Sequence, residues 1–305
     1  MAVNTVQVII NGQTYNLTYN SSTGKYEATV TAPSTSSFNQ SGGYYGVTIK
    51  ATDNAGNLTQ KDATDGTLGA SLRLTVKEKV IPTIAITSPG AGAKLITNKP
   101  TITFQLRDND SGIKISALAL KIDGGAAIGN AAAGMTCTPV AGGYDCTYVV
   151  QTALTDGSHT VTINIQDNDG NAASQASVTF TVDTVAPTLN VTSPANGLVT
   201  NNANQNVVGT TSDATSSPVT VTIKLNGTDQ GAVAVDGSGN FTKSVNLSAG
   251  SNTIVIRSTD SAGKYTEVTR SVTLDTVAPT ITGVTLTPNP VDAGATYIIA
   301  VTVTD

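Results

Sequence analysis

A chain of 305 residues with 39% hydrophobic side chains can fill real cores, yet only 12% of it is charged, against a usual share of about 25%, so Thr, Ser, Asn and Gln must supply its polar surface. Its net charge of −5, with no run of Lys or Arg, excludes the basic patch that nucleic acid requires. No stretch approaches the roughly 20 apolar residues of a membrane-spanning helix, so no membrane insertion is expected, and the opening Met1-Ala2-Val3-Asn4-Thr5-Val6 carries no signal peptide in the given sequence.

Taken in order, the chain opens with Val6, Val8 and Ile10 alternating with polar residues up to the turn Asn11-Gly12. Such runs, separated by Gly and Asn turns, predict half-buried antiparallel strands. The stretch Lys79-Val80-Ile81-Pro82-Thr83 then returns as Asp183-Thr184-Val185-Ala186-Pro187-Thr188 and as Asp275-Thr276-Val277-Ala278-Pro279-Thr280. Recurrence at about one hundred residues marks a tandem array. Within 80–183, Ile102, Phe104 and Leu106 run up to Asp108, Leu118, Leu120 and Ile122 up to Asp123-Gly124, and Val161, Ile163 and Ile165 into Asp167-Asn168-Asp169-Gly170-Asn171. Val178, Phe180 and Val182 close that module, which has about seven short strands, the count of an immunoglobulin-like sandwich. Residues 184–275 repeat the plan, with Val221, Ile223 and Leu225 before Asn226-Gly227 and Ile254 and Ile256 before Asp260-Ser261-Ala262-Gly263-Lys264. The expected fold is all-β: tandem immunoglobulin-like β-sandwiches forming an elongated rod, without substantial helix.

The two ends read as parts of modules. Ile299, Val301 and Val303 fall in the phase of Ile102, Phe104 and Leu106, so 276–305 is expected to be the first two strands of a further module. Residues 1–79 are expected to lack those same two strands. Together the fragments make one domain, which predicts head-to-tail assembly of copies by strand complementation. The expected interface places Ile281, Val284, Ile299, Val301 and Val303 of one copy against Val6, Val8 and Ile10 of the next.

The chain resembles bacterial Ig-like tandem-repeat proteins, of the type found in surface adhesins and in phage tail and structural proteins. The loops Asp53 to Asn57 and Asp167 to Asn171 (D-x-x-G-N), the departing Asp260 to Lys264, and the D-T-V-A-P-T junctions carry the resemblance. The Trp of antibody domains is absent, since the chain has none. The resemblance implies a non-enzymatic fibre or filament subunit of a phage particle or bacterial surface, located on the extracellular surface or the virion. The alternative it implies is a surface adhesin or tail-fibre-type module that binds a glycan or cell-surface receptor through first-module loops.

Candidate sites are few, and no catalytic residues are assigned. His159 is the single histidine, read by its phase with Asn252 and Tyr45 as a solvated loop residue, so no Ser/His/Asp set can be assembled. Cys137 and Cys146 flank Gly142-Gly143 across an expected hairpin, and are either a disulfide or two small core residues in a reducing compartment. Asp167, Asp169, Asp183, Asp260 and Asp275 sit in turns near module ends. They are candidate ligands for Ca²⁺ at the junctions, as in related adhesin arrays, or else Asx turns that cap loop backbone; the first junction, Lys77-Glu78-Lys79-Val80, has no Asp. Tyr44 and Tyr45, with Tyr15, Tyr19 and Tyr26, gather in the first module. They are either a ligand patch or packing residues, with Tyr19 and Tyr26 a cross-strand pair.

Overall fold

A computed structural model describes residues 2–305, which fall into two compact units that divide between Val182 and Asp183. Among the described residues helix is confined to the 3-10 turns Ser41–Gly43, Gly69–Leu72 and Ile115–Ala117, and the rest of the regular structure is strand. Short alternating runs of β-branched residues between Gly and Asn turns leave no helical period to exploit.

Within the first unit, residues 83–182 form two facing four-stranded sheets. One is ordered Met135–Val140, Gly143–Val149, Thr101–Arg107, Thr83–Ser88; the other is ordered Ala119–Ile122, Gly157–Asn164, Ala176–Val182, Lys94–Leu95. Side chains alternate across a strand, so Ile102, Phe104 and Leu106 all leave the first sheet on its inner face. There they meet Leu120, Val161, Ile163, Phe180 and Val182 from the second sheet, and Leu118 just before it, in one buried cluster. Cys137 and Cys146 are directly paired in register and joined by a disulfide, and Cys146 extends the same core.

The second unit repeats this sandwich. Asn204–Ser212 lies between Thr188–Ser193 and Asn240–Asn246, opposite a sheet in which Gly250–Thr259 pairs with both Thr220–Leu225 and Tyr265–Leu274. Val207, Ile223, Phe241, Ile254, Ile256 and Val272 make the buried centre.

The two flanking segments are built differently. The sheet at 3–74 is ordered Lys25–Glu27, Gln13–Asn20, Val3–Ile10, Tyr45–Asp53, Leu58–Lys61, with Arg73–Leu74 also on Tyr45–Asp53. Of its apolar residues only Val8, Tyr45, Ala63 and Leu72 are buried, and Val6 and Ile10 are half-exposed. At the other end, Thr280–Thr287 and Ile298–Thr304 form a lone antiparallel pair. Ile281 faces Val303, Val284 faces Val301 and Leu286 faces Ile299, and all six are exposed.

One polar device recurs in both sandwiches. The turns Asn11-Gly12, Asp123-Gly124 and Asn226-Gly227 each place two successive residues at positive φ, the geometry of a two-residue type I′ hairpin turn. Asp123 Oδ1 accepts from the Thr160 amide at 2.8 Å and its Oδ2 meets His159 Nδ1 at 2.7 Å, while His159 Nε2 faces the Thr155 carbonyl at 2.7 Å. In the second unit Asn226 Oδ1 accepts from the Thr253 amide, Asn226 Nδ2 donates to Asn252 Oδ1, and Asn252 Nδ2 donates to the Ser248 carbonyl. His159 is therefore buried at the start of Gly157–Asn164, beside Phe180, which corrects its reading as a solvated loop residue. The clue was its phase with Asn252, opposite the equivalent turn.

Burial opposes the His159 cation, but the Thr155 carbonyl and the Asp123 carboxylate outweigh it and raise the imidazole pKa above its ordinary value. Burial likewise opposes the Asp123 anion, and the hydrogen bonds from His159 and Thr160 overcome it to hold the carboxyl below its usual range. The histidine contribution is complete below its unfolded pKa of about 6.5 and is lost as pH rises through the higher folded value; the carboxylate contribution is complete above about 3.9 and is lost as pH falls through its depressed folded value. The pair thus stabilises most between about pH 4 and 6.5. Raising the pH above that window should lower the melting temperature, and the double variant His159→Asn with Asp123→Asn, which installs the residues of the second unit, should lose that component in a pH series of thermal melts. Phe104→Ala should cost about 3–5 kcal/mol in denaturant unfolding, because it empties the centre of a dry core.

Candidate metal centres

Each sandwich brings three carboxylates together at one end: Glu78, Asp108 and Asp167 in the first unit, and Asp183, Asp213 and Asp260 in the second. Within each trio the nearest carboxylate oxygens lie within 4.8 Å of one another. The two sets are equivalent. One acid precedes the first strand of the sandwich, one follows its third strand, and one opens the D-x-x-G loop.

The loops hold these side chains through their own backbone. Asp108 Oδ1 accepts from the amides of Asp110 at 3.0 Å and Gly112 at 2.7 Å. Asp167 accepts from the Asn171 amide at 2.8 Å and from Asn171 Nδ2 at 2.6 Å. In the second set Asp213 Oδ1 accepts from Thr215 and Ser216, Asp260 Oδ1 from Ala262, Gly263 and Lys264, and Asp183 Oδ1 from Val185. Asx turns therefore account for one oxygen of Asp108, Asp183, Asp213 and Asp260, while Asn171 takes both oxygens of Asp167.

The other oxygens are the informative ones. Asp183 is fully buried and Asp260 is 5% exposed, yet the Oδ2 of each has no hydrogen-bond partner, and neither has the buried Glu78 Oε2. A buried, unpaired carboxylate oxygen is costly, and three carboxylates at this separation repel one another. Burial pushes the Glu78 carboxyl up; hydrogen bonding from Ser111 pulls it down, and the charges of Asp108 and Asp110 add to the rise. A hard divalent cation with an all-oxygen shell answers each of these costs, and the residues present fit Ca²⁺, which takes six to eight oxygens from carboxylates, carbonyls and water.

The first trio also sits where residues 1–79 meet the following sandwich. Glu78 Oε1 accepts from the Ser111 amide at 2.6 Å, the Glu78 amide donates to Asp169 Oδ2 at 2.9 Å, and Asn171 Nδ2 donates to the Glu78 carbonyl at 3.2 Å. The Ser36 amide adds a fork to both oxygens of Asp110, each at 2.9 Å.

Of the aspartates expected from sequence, Asp167, Asp183 and Asp260 stand in the trios. Asp169 does not, because its carboxylate is spent on the Glu78 amide. Asp275 is exposed, with Oδ1 accepting only from the Val277 amide. Glu78, Asp108 and Asp213 were missed. Asp108 and Asp213 lie at one distance after Thr83 and Thr188, and Glu78 precedes Pro82 as Asp183 precedes Pro187, so the repeat phase held the signal and a glutamate serves where the junction lacks an aspartate.

The expected Tyr44/Tyr45 patch is corrected at Tyr45, which is buried with its hydroxyl 2.6 Å from Thr35 Oγ1; Tyr44 lies under the Arg73 guanidinium, 4.9 Å from its ring centre. Tyr19 and Tyr26 are a directly opposed cross-strand pair with ring centres 5.3 Å apart.

Two segments of the chain match known families. Residues 79–184 match the bacterial Ig-like domain family, and residues 187–276 match the family described as glucodextranase, domain B. No curated protein matches the sequence. Similar solved structures include the fibronectin(III)-like modules of Clostridium thermocellum CbhA, at 16% identity and a TM-score of 0.39 over 63% of this chain and 94% of that one. The Sidekick-1 immunoglobulin domains 1–5 align at 11% identity and 0.38 over 93% of this chain and 56% of theirs. Bacteroides ovatus SGBP-B, solved in complex with a mixed-linkage heptasaccharide, aligns at 16% identity and 0.23 over 92% of this chain and 62% of its own. No helix among the described residues is long and apolar enough to cross a membrane. The chain thus carries a bacterial Ig-like domain at 79–184 within a tandem of all-β Ig-like sandwiches.

Proposed function

We propose that the chain is a non-enzymatic structural subunit of a fibre on a bacterial surface or virion, joined head to tail by strand complementation and braced by Ca²⁺ in its acidic trios. The observation that carries this reading is the exposed apolar hairpin at 280–304. Ile299, Val301 and Val303 are 57%, 50% and 53% exposed, whereas Ile102, Phe104 and Leu106, at the same positions of the sandwich in the first unit, are at most 1% exposed. A two-stranded ribbon with such a face is marginal in water and prone to pair.

The segment at 3–61 offers a matching acceptor. Lys25–Glu27 ends its sheet, and Gly24-Lys25 occupies the phase of Gly239-Asn240, the start of the strand that pairs with Asn204–Ser212. Ile298–Thr304 of a second copy would add to that edge as Asn204–Ser212 adds to Asn240–Asn246. Its inner face would then cover Val6, Val8 and Ile10, which correspond to Leu118, Leu120 and Ile122 of the complete core. Main-chain bonds at the edge supply affinity, and the apolar side chains supply register. A second reading, binding of a glycan or receptor by first-segment loops, is favoured by the exposed Phe38, Leu58 and Leu68.

Light scattering and negative-stain microscopy of the full chain should show fibres or rings that a version ending at Asp275 does not form. A full chain that stays a monodisperse monomer, as stable as the truncation, would overturn the assembly reading and leave the binding module. Adding Ca²⁺ after EDTA treatment should raise the melting temperature, by the equivalent of about 2.7 kcal/mol per site at about 100 times Kd. Asp183→Asn with Asp260→Asn should raise the melting temperature of the stripped protein, by relieving repulsion, and should remove most of the calcium response of the second unit.

A further inference from the structure

We infer that a serine hydroxyl completes each acidic trio: Ser111 Oγ in the first unit and Ser216 Oγ in the second bind the same Ca²⁺ as the three carboxylates. This assignment rests on the calcium occupancy proposed above and adds an uncharged fourth side chain to each site.

Unpaired polar atoms collect in one kind of place. Among the described residues, the buried side-chain nitrogens and oxygens with no hydrogen-bond partner are Glu78 Oε2, Ser111 Oγ, Asp183 Oδ2, Ser216 Oγ, Asp260 Oδ2 and Arg270 Nε. All but Arg270 Nε are oxygens of the two trios or of the loops that carry them. Ser111 and Ser216 are 1% and 0% exposed, and they hold equivalent positions, the third residue after Asp108 and after Asp213. The loops around them differ, Asp108-Asn109-Asp110-Ser111 against Asp213-Ala214-Thr215-Ser216, yet both place serine there. A hydroxyl can rotate to meet any acceptor in reach, so one left buried and unpaired at the same position of both sandwiches has no role inside the fold.

The backbone pins both serines to their sites and leaves only the hydroxyl over. The Ser111 amide donates to Glu78 Oε1 at 2.6 Å, and its carbonyl accepts from Asn168 Nδ2 at 2.9 Å. The Ser216 amide donates to Asp213 Oδ1 at 2.6 Å, and its carbonyl accepts from the Ser261 amide at 2.9 Å and the Ser261 hydroxyl at 2.6 Å. Asn168 and Ser261 directly follow the loop acids Asp167 and Asp260, so each serine is clamped between two members of its trio. The Ser111 hydroxyl also lies beside the Glu78 carboxyl and favours its anion, without the alignment of a hydrogen bond. A cation among the carboxylates gives the hydroxyl lone pairs the partner they lack. Each hydroxyl adds one oxygen toward the six to eight that Ca²⁺ takes, and adds no charge to three that already repel.

The test is calorimetric titration of the EDTA-stripped full chain with CaCl₂, with folding checked by circular dichroism. Ser111→Ala and Ser216→Ala should each weaken one site at least about tenfold and leave the other unchanged. In the stripped protein the same variants should melt no lower than wild type, since alanine removes an unpaired hydroxyl, whereas a serine that only held its loop would lower the melting temperature with or without calcium. Ser111→Cys and Ser216→Cys should each bind Ca²⁺ more weakly and Cd²⁺ more tightly than wild type, because sulfur is a soft ligand. Calcium affinities that both alanine variants leave unchanged would overturn the hydroxyl ligands while leaving the carboxylate trios standing. No calcium binding by the wild-type chain would overturn both.

Discussion

A sheet with one apolar face is stable only under a second sheet, and that constraint organises the chain. In the complete sandwiches the third strand, Thr101–Arg107 or Asn204–Ser212, lies inside its sheet and turns a stripe of side chains onto the opposite layer. Where that layer is present, as for Ile102, Phe104 and Leu106, burial is complete. At 280–304 the same alternation and a similar bulged register exist without a layer above them, and the apolar side chains stay in water. Local strand pairing is thus identical in the two settings, and only the covering differs.

Sandwich ends impose a second constraint. Strands must stop in loops whose amides still need acceptors, and short acidic side chains meet that need from within the loop. Asp108, Asp167, Asp213 and Asp260 all do so. Since these loops end neighbouring strands, capping also brings the carboxylates within reach of one another and of the acid arriving from the preceding segment. A turn-forming habit becomes a convergent oxygen set, and leftover oxygens such as Asp183 Oδ2 and Asp260 Oδ2 have no use inside the fold. The same loops join residues 1–79 to their neighbour through Glu78, Asp110 and Asp169, so capping, linker docking and the proposed cation share one set of atoms.

Polar burial elsewhere follows a different logic. His159 with Asp123 and Asn252 with Asn226 tie a hairpin turn to the next strand in equivalent places, one by a titratable pair and the other by amides. The position requires a side chain that reaches both the turn and a loop carbonyl, and two unlike residues satisfy it. Phase with Asn252 and Tyr45 suggested a solvated loop residue at 159, yet the structure buries all three.

The sequence by itself determined the strand class, the periodicity, the hairpin turns and the phase between modules, because alternation and positive-φ turn residues are local properties written within a few residues. It also determined the opposition of Cys137 and Cys146 and of Tyr19 and Tyr26, which follow from hairpin register. Only the tertiary structure decided which acids meet. Glu78, Asp108 and Asp167 are far apart in the chain and converge because two sheets and a linker end at one place, whereas Asp169, two residues from Asp167, is turned onto a backbone amide. Burial of Tyr45 and His159 was decided there too, since the layer that covers a side chain comes from residues distant in sequence, and no local pattern records it.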